Sequence, residues 1–203
     1  MYLTLADVLV PRIKRYCLTR DLLLTLWGSL LIALLAQASF WIGPVPITGQ
    51  TFAVLMLAAL LGSRRGSLSV LAYLIEGAFG LPVFASGRSG LAAFVGPTGG
   101  YLIGFVFAAW LVGLLAEKKW DRNPWTTILT MILGNILIYS CGLLWLWLLF
   151  FAGRLPSDSK GLLAAGLYPF IIGDFLKILL AAWLLPTGWK LLARKEFRKD
   201  VER

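Results

Sequence analysis

The sequence consists of long apolar stretches separated by short polar or glycine-rich connections. Four of the stretches predict membrane-crossing helices: 22–42, 101–116, 125–151 and 162–192. Two others, 51–61 and 67–79, are short for a straight crossing, and segments of about 10–14 apolar residues also form buried or re-entrant elements. The pattern predicts an all-α integral membrane protein with six transmembrane helices in a compact bundle.

Composition supports the same class of protein. Hydrophobic residues make up 59% of the 203 residues and charged residues 14%, whereas soluble domains have about 45–50% apolar and about 25% charged residues. Six spans of about 20 residues leave no room for a separate soluble domain. We therefore divide the chain into an N-terminal cytoplasmic tail, 1–21, a membrane domain, 22–192, and a basic cytoplasmic C-terminal tail, 193–203.

The net charge of +9 is distributed as the positive-inside rule requires. With six crossings and a cytoplasmic N-terminus, the outer loops carry only Arg88, Arg154 and Lys160. The inner side then collects all other basic residues except Lys177, which lies within a span: Arg12, Lys14, Arg15, Arg20, Arg64, Arg65, Lys118, Lys119, Arg122 and those from Lys190 to Arg203. We predict that both termini are cytoplasmic, that the chain lies in a prokaryotic-type plasma membrane, and that its basic charge does not indicate nucleic-acid binding.

The residue types argue against most enzyme classes. The chain has no histidine, which excludes catalysis by imidazole and most zinc sites. Its two cysteines, Cys17 and Cys141, favour unpaired thiols over a disulfide. An intramembrane enzyme that uses Asp174 and Glu76 as an acid–base or metal pair is the one enzymatic alternative, and we expect neither a catalytic residue nor a metal site.

Ionisable residues inside the predicted spans are the strongest functional signal. A charge at mid-bilayer costs at least about 2.5–3.5 kcal/mol, and Asp174 and Lys177 share one helix face because they are three residues apart. They form either an internal ion pair or a site for a neutral polar ring with N–H donors and a carbonyl acceptor. Glu76 is either a structural carboxylate near the outer loop or a partner of Arg88.

The connection 80–100 is rich in turn-forming residues and yet carries apolar side chains such as Phe84. An exposed loop of this kind is poorly solvated, so we expect it to fold back as a lid over the outer end of the bundle. Its one charge, Arg88, suits a ligand carboxylate; a solvated loop arginine is the alternative.

Four motifs together carry a family resemblance. They are VPITGQT at 45–51, GLPVF at 80–84, GPTGGY at 96–101 and YPFIIGDFLK at 168–177. In this order and spacing, over about 22–185, they resemble the BioY family, the biotin-specific substrate-binding (S) components of energy-coupling-factor (ECF) transporters. The resemblance implies an S-component-like bundle that binds biotin near the outer membrane surface. An S-component for another vitamin, such as thiamine or riboflavin, is the alternative within this class.

The resemblance also implies partners and site residues. Family members work with a transmembrane coupling subunit and two cytoplasmic ATPases, and use biotin as transported ligand with no cofactor. The family's docking surface corresponds to small residues of the first helix, here Ser29, Ala33 and Ala36. The family's Gly-Asp-x-x-Lys motif assigns biotin to Asp174 and Lys177. Further contacts are expected from Thr48 and Gln50 at the rim, Phe84 and Tyr168 as apolar walls, and Arg88 for the valerate carboxylate.

Overall fold

The structure is a computed structural model that describes residues 4–10, 17–41, 44–154 and 159–201. Within these ranges six principal helices form one bundle: α2 (Cys17–Gln37), α3 (Gln50–Leu61), α4 (Ser63–Ala78), α6 (Gly99–Glu117), α7 (Pro124–Phe151) and α9 (Tyr168–Val201). The shorter elements are α1 (Leu5–Leu9), β1 (Ser39–Trp41), β2 (Pro46–Thr48), α5 (Ala92–Val95) and α8 (Ser159–Gly166). The predicted basic residues Arg12, Lys14 and Arg15 lie outside the described residues.

Membrane-crossing helices are found where the apolar pattern predicts them. Among the described residues, four helical stretches are long and apolar enough to cross a bilayer: Cys17–Gln37, Gly99–Glu117, Pro124–Phe151 and Gly161–Ala193. The first begins at Cys17, five residues before the predicted start at 22. The cysteines Cys17 and Cys141 are both free.

Helix α3 is too short to cross alone. Its 12 residues extend about 18 Å, against about 30 Å of hydrocarbon. The remaining depth is taken by an antiparallel hairpin in which β1 pairs with β2 and Ser39 lies opposite Thr48. Non-helical backbone at membrane depth requires internal partners, and the Thr48 carbonyl accepts a 2.8 Å hydrogen bond from Lys177 Nζ. Strand β2 therefore faces the protein interior, whereas Phe40 and Trp41 of β1 are exposed.

Helix α6 lies in the centre of the bundle and packs against α3, α4 and α7. The close approach depends on its small buried residues, among them Gly104, Ala108, Ala109 and Gly113. At Gly113, a Cβ atom would lie 2.4 Å from Ser63 Cα. Small side chains thus set the interhelical distances around the core, while leucines such as Leu30 and Leu34 remain exposed on the outer face of α2.

The end of the bundle that carries most basic residues is held by an ionic network. Asp7 on α1 accepts from Arg20 Nη2 at 3.0 Å and Arg65 Nη2 at 2.8 Å. Burial alone would raise the pKa of Asp7, but the two guanidinium groups lower it to about 2. Arg20, which the sequence assigns to the tail, is 8% exposed. Helix α1 is therefore packed against the bundle.

Candidate functional site

A cavity opens at the end of the bundle opposite α1. Its empty volume is about 690 Å³, a figure that includes the solvent-open mouth. Its aromatic walls are Trp41, Phe84, Tyr101, Phe105, Tyr139 and Phe170. Its polar lining includes Thr48, Gln50, Thr51, Arg88, Thr98 and Lys177. We call this space the outer cavity.

Lys177 brings its charge to the wall of the outer cavity. Its Nζ donates to Thr48 O at 2.8 Å, Thr51 Oγ1 at 2.8 Å and Asp174 Oδ1 at 2.9 Å. These three acceptors match the three hydrogens of an ammonium group. The backbone carbonyl of Thr48 and the hydroxyl of Thr51 therefore hold Lys177 in place together with Asp174.

Asp174 lies behind Lys177 and Tyr139, and it is 4% exposed. Its Oδ1 also accepts from Thr51 Oγ1 at 3.2 Å, and its Oδ2 accepts from the Tyr139 hydroxyl. Donors from α3, α7 and α9 thus supply three hydrogen bonds to this buried carboxylate. The ion pair predicted from sequence is present, but residues of the protein supply bonds that the sequence interpretation assigned to a ligand.

Thr48 and Gln50 are fixed in a second buried chain of hydrogen bonds. Thr48 Oγ1 donates to Gln50 Oε1 at 2.9 Å, and Gln50 Nε2 donates to the hydroxyl of Tyr73. Tyr73 has no exposed surface. Both predicted rim residues therefore line the outer cavity with restricted rotamers.

Phe84 anchors the loop after α4 inside the bundle. It is 3% exposed and packs edge-on against Tyr73 and Phe94, with ring centroids 5.4 and 5.7 Å apart. The ring rests on Gly77, where a Cβ atom would lie 2.1 Å from Phe84 Cζ. The loop folds back over the outer cavity because this glycine leaves room for the ring.

Arg88 and Trp41 form the mouth of the outer cavity. The Arg88 guanidinium lies 4.1 Å from the centroid of the Trp41 ring. Trp41 Nε1 donates to Ser86 Oγ at 2.8 Å, which ties the hairpin to the loop after α4. Among the described residues, Arg88 forms no salt bridge, since Glu76 accepts instead from Ser29 Oγ at 2.8 Å.

The structure places four predicted residues away from the expected surfaces. Tyr168 is 56% exposed and does not line the outer cavity, where Phe170 is found instead. Ser29, Ala33 and Ala36 are 1%, 7% and 0% exposed, so these three small side chains face the bundle interior and not a free docking face. Ser29 contacts α4 through its bond to Glu76.

Tyr139, Thr51 and Trp41 were missed by the sequence interpretation. A usable signal existed for Tyr139, because a tyrosine within a transmembrane stretch needs a partner for its hydroxyl. Thr51 gave no such signal, because a threonine satisfies its hydroxyl within its own helix. Among the described residues, no cluster of three or more Cys, Asp or Glu side chains could hold a metal ion.

Comparison with known proteins finds similarity to one family in sequence and in fold. The profile of the BioY family matches residues 7–194. The biotin transporter BioY of Thermotoga maritima is 38% identical over 173 residues, which cover 85% of this chain and 93% of that protein. The biotin transporter BioY of Rhodobacter capsulatus is 40% identical over 172 residues, which cover 81% and 90%. A crystal structure of the S-component for biotin from an ECF-type ABC transporter aligns with a TM-score of 0.73 and 28% identity, covering 88% of this chain and 95% of that one.

Proposed function

The chain belongs to the BioY family, and from this membership we propose which of its residues bind biotin and which partners it serves. It functions in biotin uptake as the substrate-binding S-component of an ECF-type transporter. Biotin is its transported ligand, and the family consists of transporter subunits and not of enzymes.

The base of the outer cavity is the proposed site for the ureido ring of biotin. That ring offers one carbonyl acceptor and two N–H donors. Lys177 donates a hydrogen bond to the ureido carbonyl. To do so, it gives up one of its three hydrogen bonds within the protein. The Tyr139 hydroxyl gives its hydrogen to Asp174, so its oxygen is free to accept a ureido N–H. The supporting observation is this Lys177–Asp174–Tyr139 group, in which Asp174 holds both contacts.

The remaining contacts follow the shape of biotin from base to mouth. Gln50 and Thr48 supply polar atoms beside the ureido ring. Phe84 and Phe170 provide apolar walls for the thiolane ring and the valerate methylenes. At the mouth, Arg88 pairs with the valerate carboxylate, because a guanidinium stacked on Trp41 keeps its N–H edge available.

The proposed orientation places the α1 end of the bundle in the cytoplasm of a prokaryotic cell and the outer cavity outside. It rests on the clustering of Arg20, Arg65 and the charged 117–122 turn at the α1 end. The partners are a transmembrane coupling subunit and two ATPases, since the chain carries no Walker sequence. The division into a membrane domain with two cytoplasmic tails belongs to the same proposal.

Titration of the purified chain with biotin, thiamine and riboflavin tests ligand identity. Saturable, stoichiometric binding of biotin alone is expected, without turnover. Binding of another vitamin in preference to biotin would overturn the proposal.

Uptake assays test the partners. Labelled biotin should accumulate in cells that express the chain with a coupling module. A module whose ATPases carry an inactivating Walker-lysine substitution is the control and should abolish accumulation but not surface binding. Uptake that persists undiminished with the inactive module would contradict the proposed coupling.

A further inference from the structure

A second, smaller compartment adjoins the Asp174–Lys177 pair. It is a small space between α3, α7 and α9 with room for about one water molecule. Lys177 and Thr51 line both this space and the outer cavity, whereas Asp174 lines this space. Apolar walls are supplied by Phe52, Leu55, Met131 and Ile178. We call this space the inner compartment.

Asn135 lines the inner compartment with an unsatisfied acceptor. It is 8% exposed, and its Oδ1 has no hydrogen-bond partner within the described part of the chain. Asn135 precedes Tyr139 by one helical turn, so both side chains lie on the face of α7 that meets α9. A buried amide oxygen without a donor destabilises the fold. An occupant of the inner compartment that donates a hydrogen bond to Asn135 Oδ1 would therefore stabilise the protein.

Lys177, the nearest cationic side chain, has no hydrogen available to donate to Asn135 Oδ1. All three Lys177 hydrogens are taken by Thr48 O, Thr51 Oγ1 and Asp174 Oδ1. Asp174 accepts three hydrogen bonds, from Lys177, Thr51 and Tyr139, whereas an ionised carboxylate has about four acceptor positions. One acceptor position on Asp174 and one on Asn135 are thus left for an occupant with two donors.

Charge decides which occupant fits. The Asp174–Lys177 pair is neutral as a whole, so an added cation would leave an uncompensated net charge in hydrocarbon, which is strongly unfavourable. A water molecule is neutral, has two hydrogens to donate, and occupies small polar cavities that offer about 2–4 partners.

We propose that the inner compartment binds one structural water that donates to Asn135 Oδ1 and Asp174, and that Asn135 is thereby a positioning residue for the biotin site. The functional part rests on the proposed biotin-binding role. The water fixes the Asp174 carboxylate from behind, and Asp174 in turn fixes Lys177 and Tyr139 at the base of the outer cavity.

Crystal structures of the full chain, grown with rubidium as the monovalent cation, test the occupant directly. The expected result is a density peak within hydrogen-bond distance of Asn135 Oδ1 and without anomalous signal at the rubidium edge, with or without biotin. An anomalous peak would identify a cation and overturn the proposal, as would a compartment without density. This readout does not depend on whether biotin is the ligand.

Biotin titration tests the positioning role. Asn135→Leu should weaken biotin binding by about 5- to 30-fold, which is about 1–2 kcal/mol at about 1.4 kcal/mol per tenfold change and lies within the range for the loss of one buried hydrogen-bond partner. Met131→Leu is the matched control, because Met131 lines the same compartment without a polar atom, and it should bind as the parent does. Parental affinity in Asn135→Leu would overturn the role of Asn135, whereas a parent chain that does not bind biotin would overturn the proposed function itself.

Discussion

The Tyr139 hydroxyl on α7 donates its hydrogen to Asp174 Oδ2 on α9. The same carboxylate accepts from Lys177, one helical turn further along α9. Tyr139 and Lys177 line the outer cavity, and Asp174 is 4% exposed behind them. The carboxylate therefore sets the position of two cavity-lining polar groups at once, which in the proposed site are an acceptor and a donor for the ligand.

Tyr139→Phe should weaken biotin binding by about 10- to 100-fold. The substitution removes the ligand acceptor and leaves Asp174 Oδ2 without its donor. Titration calorimetry on the purified chain measures the change. Tyr168→Phe is the control, since Tyr168 is 56% exposed and outside the cavity. Equal losses in the two variants would contradict the role of Tyr139.

Lys177→Met should destabilise the chain by about 3–5 kcal/mol, because it leaves the buried Asp174 carboxylate without its partner, and Asp174→Asn should destabilise it less, because Lys177 is half-buried. The double variant should lose less than the sum of the two, since no charge remains. Thermal unfolding in detergent measures stability, and biotin binding should be lost in all three variants. Strictly additive losses of stability would show that the two residues do not act as a pair.

Arg88→Gln should weaken biotin binding by about 5- to 10-fold and leave the affinity for biotin methyl ester unchanged. The ester lacks the carboxylate charge that the proposed guanidinium contact recognises. Arg154→Gln provides the control, because Arg154 is an exposed arginine predicted on the same side. If Arg88→Gln weakens both ligands equally, Arg88 acts on the shape of the mouth and not on the carboxylate.

The predicted all-α membrane bundle is confirmed, and its strongest signals were local ones. The apolar stretches gave the helices, and the spacing of Asp174 and Lys177 placed them on one face of α9. The partners that complete the site, Thr51 on α3 and Tyr139 on α7, come from other helices. Their proximity depends on how three helices pack, which no local spacing determines.

The rotation of α2 about its axis explains why Ser29, Ala33 and Ala36 lie inside the bundle and not on a docking surface. The spacing of Ser29, Ala33 and Ala36 puts three small side chains on one face of α2. A docking face and a contact between helices inside the bundle both require this spacing, so the spacing alone does not distinguish them. The structure turns them toward the bundle, where Ser29 meets Glu76. Periodicity gives the members of a face, but the direction of that face depends on tertiary packing.

Gly77→Ala should weaken biotin binding and lower stability by about 1–3 kcal/mol. The added methyl would lie 2.1 Å from Phe84 Cζ, and Phe84 is held by Tyr73 and Phe94, so the ring must leave the cavity wall. Thermal unfolding and biotin titration measure both effects. Gly173→Ala is the matched control, because its Cβ would meet no atom within 4 Å. A Gly77→Ala chain as stable as Gly173→Ala would contradict the seating of Phe84.

Asp7 should make the stability of the chain acid-sensitive. Its pKa is lowered from 3.8 to about 2 by Arg20 and Arg65 against the opposing effect of burial. A carboxyl group with a lowered pKa stabilises the fold fully above its unfolded pKa, and this contribution is lost as the pH falls from about 4 to about 2. The expected size is at most about 2.5 kcal/mol, at about 1.4 kcal/mol per pKa unit between 3.8 and about 2. Unfolding midpoints across that pH range should fall in the parent, and Asp7→Asn should start lower at pH 7 and fall less. Parallel curves for the two proteins would show that this ionic network does not hold α1 to the bundle.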